Sequence, residues 1–272
     1  MEALAAFSIF CACVLHAFLP RSAHRLRLAK PNFRGDKVFS SYGIVLLADI
    51  SALTSIGSIF GFIRLDLAYL YLSVMGSMCL LGLADDVFGT REVGGFKGHF
   101  RKLILERKPT TGVLKALGGA AVGIAAGARV YSEDPIKWMS CALLVALGAN
   151  FLNILDLRPG RAAAVFFAGI GVTCCVSFRK LPSPWLIAAL VVPTAFWGIV
   201  DSRGRAMMGD SGSNSLGAAL GLTAALSMGL PAQLAAIVLL VAIHWYSEKH
   251  SLTDLIENNR VLRAIDARLG VR

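Results

Sequence analysis

The sequence predicts an all-α integral membrane protein, a polytopic bundle of about nine transmembrane helices forming one domain over residues 1–272. Three observations predict it. Of the 272 residues, 56% are apolar and only 16% charged, with a mean hydropathy of +0.66, whereas a soluble domain is roughly half apolar and about a quarter charged. Apolar runs of about the length that crosses a 30 Å hydrocarbon core recur along the whole chain. Finally, the basic residues alternate between connections: 22 of the 27 Lys and Arg lie in 21–41, 85–115, 154–161, 201–211 and 248–272. Together these exclude a nucleic-acid-binding globule, a disordered tail and a disulfide-stapled secreted module. The net charge of +10 therefore reads first as topology. Basic connections stay inside, which puts the N-terminus outside, the C-terminus in the cytoplasm, and the protein in the plasma or inner membrane.

The expected spans are 1–20, 42–62, 67–85, 111–130, 137–154, 162–178, 184–200, 212–230 and 231–247. The first has no basic residue ahead of its apolar stretch, and Arg21, Arg25 and Arg27 follow it, so it reads as an uncleaved anchor rather than a signal peptide. Asp49 lies within the second span, where a carboxyl is either a functional group or a hydrogen-bonded structural one. The third ends in Gly82-Leu83-Ala84-Asp85-Asp86, and two adjacent carboxylates cannot both face lipid. The loop after it holds Lys97-Gly98-His99 and Arg101-Lys102, with Lys97 a candidate phosphate contact.

In the fifth span Asn150, Asn153 and Asp156 recur every third residue, so they form one polar stripe. Buried amides need partners, and a stripe ending in a carboxylate at the membrane edge suits either helix–helix hydrogen bonding or a ligand. Asp201 follows the seventh span directly. Then comes Met208-Gly209-Asp210-Ser211-Gly212-Ser213, a carboxylate at a small-residue helix start, where backbone N–H groups and the helix dipole favour phosphate. Asp210 offers the oxygen that Mg²⁺ prefers. The break Gly229-Leu230-Pro231 separates the last two spans. The six cysteines lie inside apolar runs without C-x-x-C spacing and read as small buried hydrophobes. Beyond Ser251-x-x-Asp254, a capping-box-like start, Leu252, Leu255, Ile256, Leu262, Ile265 and Leu269 alternate with Arg260, Arg263, Arg268 and Arg272. This tail, 247–272, reads as a basic amphipathic helix on the inner surface, or as one packed on the loops.

Asp85, Asp86, Asp156, Asp201 and Asp210 thus all fall at the cytoplasmic ends of spans. That ring of acids in a basic face describes a site for a metal and a phosphate-rich ligand better than a transport path. G-x-x-D-D, N-x-x-N-x-x-D and G-D-S-G-S, in that order at the ends of the third, fifth and seventh spans, resemble the polyprenyl-phosphate N-acetylhexosamine-1-phosphate transferases, over about residues 20–270. The resemblance implies transfer of a sugar-1-phosphate from a UDP-sugar to polyprenyl phosphate, giving a lipid-linked diphosphosugar and UMP for envelope glycan synthesis.

The resemblance further implies Mg²⁺, or Mn²⁺ in its place, held by Asp210 and Asn153. Asp85, Asp86 and Asp156 become the catalytic acids, and Asn150, Lys97, Arg158, Arg161, Ser211, Gly212 and His250 the substrate contacts. The implied partners are the UDP-sugar, polyprenyl phosphate and the bilayer, with no nucleic acid; a homodimer is compatible. The chain departs from the family at Asp156-Leu157-Arg158-Pro159-Gly160-Arg161, where a second acid is missing. It departs also at Tyr246-Ser247-Glu248-Lys249-His250, which lacks the histidine-rich motif, and at Asn32-Phe33-Arg34-Gly35-Asp36-Lys37, which stands in place of a threonine- and glycine-rich motif. A final span is missing as well. An altered donor sugar follows from these departures. The contrasting expectation is a homologue without catalysis that binds lipid phosphate or scaffolds envelope assembly.

Overall fold

Eight of the nine expected spans fall within the residues that the computed structural model describes (28–32, 34–89, 111–177 and 180–269), and each is a helix. They are α1 (Gly43–Ile59), α2 (Leu65–Phe88), α3 (Thr111–Val130), α4 (Pro135–Leu155), α5 (Arg161–Ser177), α6 (Pro184–Ser202), α7 (Gly209–Ser227) and α8 (Leu230–Ser247), followed by the short α9 (Leu252–Asn258) and α10 (Arg260–Leu269). The expected first span and Lys97 lie outside the described residues. Five helices, α2, α3, α4, α6 and α8, are long and apolar enough to cross a membrane; α1 and α5 are apolar but shorter.

Local chemistry sets the helix starts. Asp134 accepts the Lys137 N–H and Ser183 the Leu186 N–H, each followed by proline in the first turn of α4 or α6, where its missing N–H costs nothing. Proline likewise opens α8 after Gly229. There the Gln233 amide donates to the carbonyls of Ala225 and Met228 and accepts from Ser140, so one side chain meets two of the carbonyls at the break between α7 and α8.

The architecture is a sheath around α7. Fifteen of its 19 residues are buried, so it meets other helices on every side, chiefly α4 and α2, then α1 and α5. Small residues make this possible. A Cβ on Gly217 would lie 2.2 Å from the Gly148 carbonyl oxygen, and one on Gly221 would lie 2.1 Å from that of Leu144. Close backbone contact replaces the hydrophobic drive that lipid-like surroundings do not supply. Polar ties complete the packing: Tyr71 Oη with Thr223 Oγ1 at 2.9 Å, and Ser215 Oγ to the Met75 carbonyl at 3.0 Å. Asp49, whose role the sequence leaves open, is buried and accepts a 2.8 Å bond from Trp197 Nε1, joining α1 to α6. Tyr42 stacks on the same indole.

Among the cysteines, Cys79 and Cys141 are buried as expected, while Cys175 is exposed. A β-hairpin is the element the hydropathy pattern does not anticipate. Strands β1 (Ala29–Pro31) and β2 (Lys37–Phe39) pair antiparallel, Lys30 opposite Val38. Asn32 organises the turn: its Oδ1 accepts the N–H groups of Arg34 and Asp36, and its Nδ2 donates to the Gly204 carbonyl at 2.9 Å. Phe39 also bridges Ala206, which anchors the hairpin over the α6–α7 connection.

Gly221→Val is expected to destabilise the bundle by about 3 kcal/mol or more, because the added branches meet backbone rather than movable side chains. A wild-type melting temperature for the purified variant would show that α4 and α7 do not depend on this approach.

Candidate active site

The acids that the sequence places at span ends do gather at one end of the bundle. The N-terminus of α7 enters there as a wedge. Gly82 and Gly43 admit it: Cβ atoms at those positions would lie 2.2 Å from the Asp210 carbonyl oxygen and 2.0 Å from the Gly212 nitrogen. Gly209 turns the chain into the helix at φ +68°, with Ser40 and Asp86 against it, a backbone conformation that a side chain disfavours.

The entering helix end presents N–H groups without intrahelical partners. Asp86 takes two of them. Its Oδ1 accepts the Asp210 N–H and its Oδ2 the Ser211 N–H, each at 3.1 Å, while Ser41 Oγ donates to Oδ2 at 2.9 Å. Only 8% exposed, Asp86 is a buried cap for α7. This narrows two expectations. Two of the N–H groups read as a phosphate cradle, those of Asp210 and Ser211, are already bound to a protein carboxylate, and Asp86, though on the cleft wall, is engaged in that cap. Ser211 and Gly212 are buried with them: Gly212 packs on Gly43, and Ser211 Oγ finds no hydrogen-bond partner among the described residues.

One residue away, Asp85 has a different role. Its Oδ2 accepts from Lys115 Nζ at 2.9 Å, and the same ammonium reaches Asp210 Oδ2 at 2.5 Å and Asn153 Oδ1 at 3.2 Å. Three oxygens from α2, α4 and α7 therefore surround one positive charge contributed by α3. Asn153 is fixed further by donating to Ser213 Oγ. Lys115 is the functional residue that sequence reasoning missed, having been counted among the loop cations. Its signal is a lysine in the second turn of an apolar helix, costly unless paired.

Asp85 and Asp210 also line a cleft of about 520 Å³, with Asp86, Asp156 and Asp201 on its walls and Lys30 and Arg158 as its cations. The hairpin supplies Lys30, Asn32 and Ser40, which hydropathy could not locate. Asp201 accepts the Gly160 N–H at 2.6 Å, tying α6 to the α4–α5 loop. Asp156, at the C-cap of α4, has its carboxyl held well above the usual carboxylate range, first by burial and then by the charges of Asp201, Asp210 and Asp86.

The remaining candidates divide. Arg158 lines the cleft and pairs with Glu257 at 3.3 Å. Arg161 does not line it. At 3% exposure, its guanidinium is gripped by both Asp266 oxygens and by Thr253 Oγ1, so it fastens the tail rather than a substrate. Asn150 is half-buried, and His250 is exposed beside the Tyr246 ring; neither is a cleft wall.

Among the described residues no group of three or more His, Cys, Asp or Glu side chains is disposed to hold a metal ion. The nearest approach is the set on Lys115, two carboxylates and an amide oxygen around one charge. Such hard oxygen donors are of the kind a small divalent cation takes, and here the Lys115 ammonium sits among them. Compared with known proteins, the chain matches no family model and no curated sequence.

Two outcomes follow from the local chemistry. Asp86→Ala leaves two buried N–H groups and a hydroxyl unsatisfied and is expected to destabilise by about 2–4 kcal/mol, visible as a lowered melting temperature; an unchanged one would refute the capping role. Asp156 has a native pKa above its unfolded value of about 3.9. Its ionisation therefore opposes folding, and stability falls as pH rises from there toward the native value. Asp156→Asn should raise the melting temperature at pH 8 by more than at pH 5, by about 2–4 °C per kcal/mol relieved; equal shifts at both would contradict the shifted carboxyl.

Proposed function

We propose that the protein transfers a sugar-1-phosphate, in the N-acetylhexosamine class, from a UDP-sugar to a polyprenyl phosphate at the cytoplasmic face of the cell membrane. The single observation that carries this reading is the convergence of Asp85, Asn153 and Asp210 on Lys115, with Asp85 and Asp210 also lining a cleft that Lys30 and Arg158 line. The motif resemblance and the five membrane-length helices support it.

In this reaction an oxygen of the lipid phosphate attacks the sugar-proximal phosphorus, the bond from that phosphorus to the bridging oxygen of UMP breaks, and UMP leaves with the electron pair. The attacking group is already anionic, so alignment and charge neutralisation matter more than covalent help. Lys30 and Arg158, on the cleft lining, supply positive charge for two polyanions that would otherwise repel, while Lys115 balances Asp85 and Asp210. Asp156, whose carboxyl readily takes up a proton, is the group suited to receive one from a monoprotonated lipid phosphate. Asp85, Asp210 and Asn153 would hold Mg²⁺, which when bound neutralises and polarises the diphosphate. The isoprenoid tail requires a site open to lipid, which a membrane-embedded bundle can offer and a soluble domain cannot.

The internal pairing of Lys115 with three ligand oxygens favours one alternative, a non-catalytic protein that binds lipid phosphate. Asp210→Asn separates the two. It should lower Mg²⁺-dependent UMP release from UDP-N-acetylhexosamines and polyprenyl phosphate by about 10²-fold or more, while the variant still inserts and folds. Retained turnover would refute the assignment of Asp210. Lipid-phosphate binding by the wild type without UMP release from any UDP-sugar would favour the binder.

A further inference from the structure

The C-terminal segment contains a surface that neither the bundle nor the cleft uses. Asn259 caps the N–H groups of Val261 and Leu262, starting a new helix, α10, at an angle set by the break from α9. At 100° per residue, Val261, Leu262, Ile265 and Leu269 fall within about 100° of arc, and Arg260, Arg263 and Arg268 occupy the remainder. In a soluble fold such an apolar face is buried. Here Val261, Leu262 and Ile265 are 66%, 40% and 52% exposed, and the three arginines are exposed with them.

The helix is nevertheless tethered. Asp266, at the edge of the apolar arc, is bound bidentately by the buried Arg161 guanidinium. The Leu269 carbonyl approaches Gly160, where a Cβ would lie 2.5 Å from it. A buried Arg–carboxylate pair holds direction as well as distance, so the helix is anchored beside its apolar arc, and among the described residues none of that arc is buried.

Its level relative to the bilayer can be read from α8. That helix has only Gln233 and Ile237 buried. It ends with Trp245 63% exposed and Lys249 Nζ 4.1 Å above the indole ring. An exposed tryptophan under a lysine at the end of an apolar helix is the pattern of the headgroup region. The tail begins at Leu252, immediately after that level.

We propose that α10 is a docking helix for an anionic bilayer surface. Val261, Leu262 and Ile265 enter the acyl boundary, Arg260, Arg263 and Arg268 engage lipid phosphates, and the Arg161–Asp266 pair links the docked helix to the start of α5. Charge complementarity selects this occupant: three arginines beside the apolar arc suit phosphate headgroups and would repel the same face of a second copy. Glu257 of the adjoining α9 pairs with Arg158 of the cleft lining at 3.3 Å. The inference does not rest on the transferase reading, since its readout involves no turnover.

The test is amide hydrogen exchange of the full-length protein in nanodiscs of phosphatidylcholine alone or with one part in about three phosphatidylglycerol, where each arginine near an anionic surface contributes on the order of fivefold. Exchange over 260–269 should slow about tenfold or more on adding the anionic lipid. Arg260→Gln/Arg263→Gln should abolish that difference. Ile265→Glu should abolish it as well, with exchange in α1–α8 unchanged in both variants. Equal exchange in the two lipids, or slowing that survives both variants, overturns the proposal. So does protection that depends on the number of copies per disc, which would assign the face to a second copy.

Discussion

The structure depends on burying one helix whose first turn is polar. α7 lies inside the bundle, so its unpaired N–H groups cannot turn to water and must be met by protein. Asp86 meets two of them, and that single requirement fixes how α2 and α7 cross, since the carboxylate has to sit at the helix end. Gly43 and Gly82 are consequences of the same constraint, because only an absent side chain lets the backbone of Asp210–Gly212 approach so closely. Once α7 is seated, Asp210 in its first turn is delivered to the cleft side.

Charge gathered in this way has to be compensated. Five carboxylates line the cleft, and in a partly desolvated site their mutual repulsion is screened poorly. Lys115 balances Asp85 and Asp210, whereas Asp156 has burial and like charges around it. The two ends of the cleft thus differ electrostatically: one is satisfied internally, the other is receptive to a proton or a cation. Lys30 and Arg158 stand at the rim, and each comes from outside the apolar core, one from the hairpin and one from the α4–α5 loop. A polyanionic ligand is the species that such an arrangement suits.

Much of this was legible along the chain, though unevenly. The span ends, the Asn153–Asp156 stripe and the polar start at Asp210 stood out because apolar surroundings make a carboxyl or an amide conspicuous. Ser251 also caps α9 as its pattern predicts. Lys115 was hidden by the positive-inside habit, which gives any cation near a helix end a sufficient reason to exist. Arg161 was misread for a related reason: nothing in its neighbourhood along the chain announces Asp266, more than a hundred positions away. The hairpin escaped because short strands held by one asparagine leave no hydropathic period.

From residue order alone came the helices and the gathering of acids at their ends, since desolvation acts on windows of about 20 residues and penalises each misplaced charge locally. Only the tertiary structure decided which acid does what. Asp85 and Asp86 are neighbours in the chain but point about 100° apart on their helix, so one reaches the ammonium of α3 and the other the end of α7. That division is set by the angle at which helices pack, and packing angles arise from close backbone contacts between segments distant in sequence.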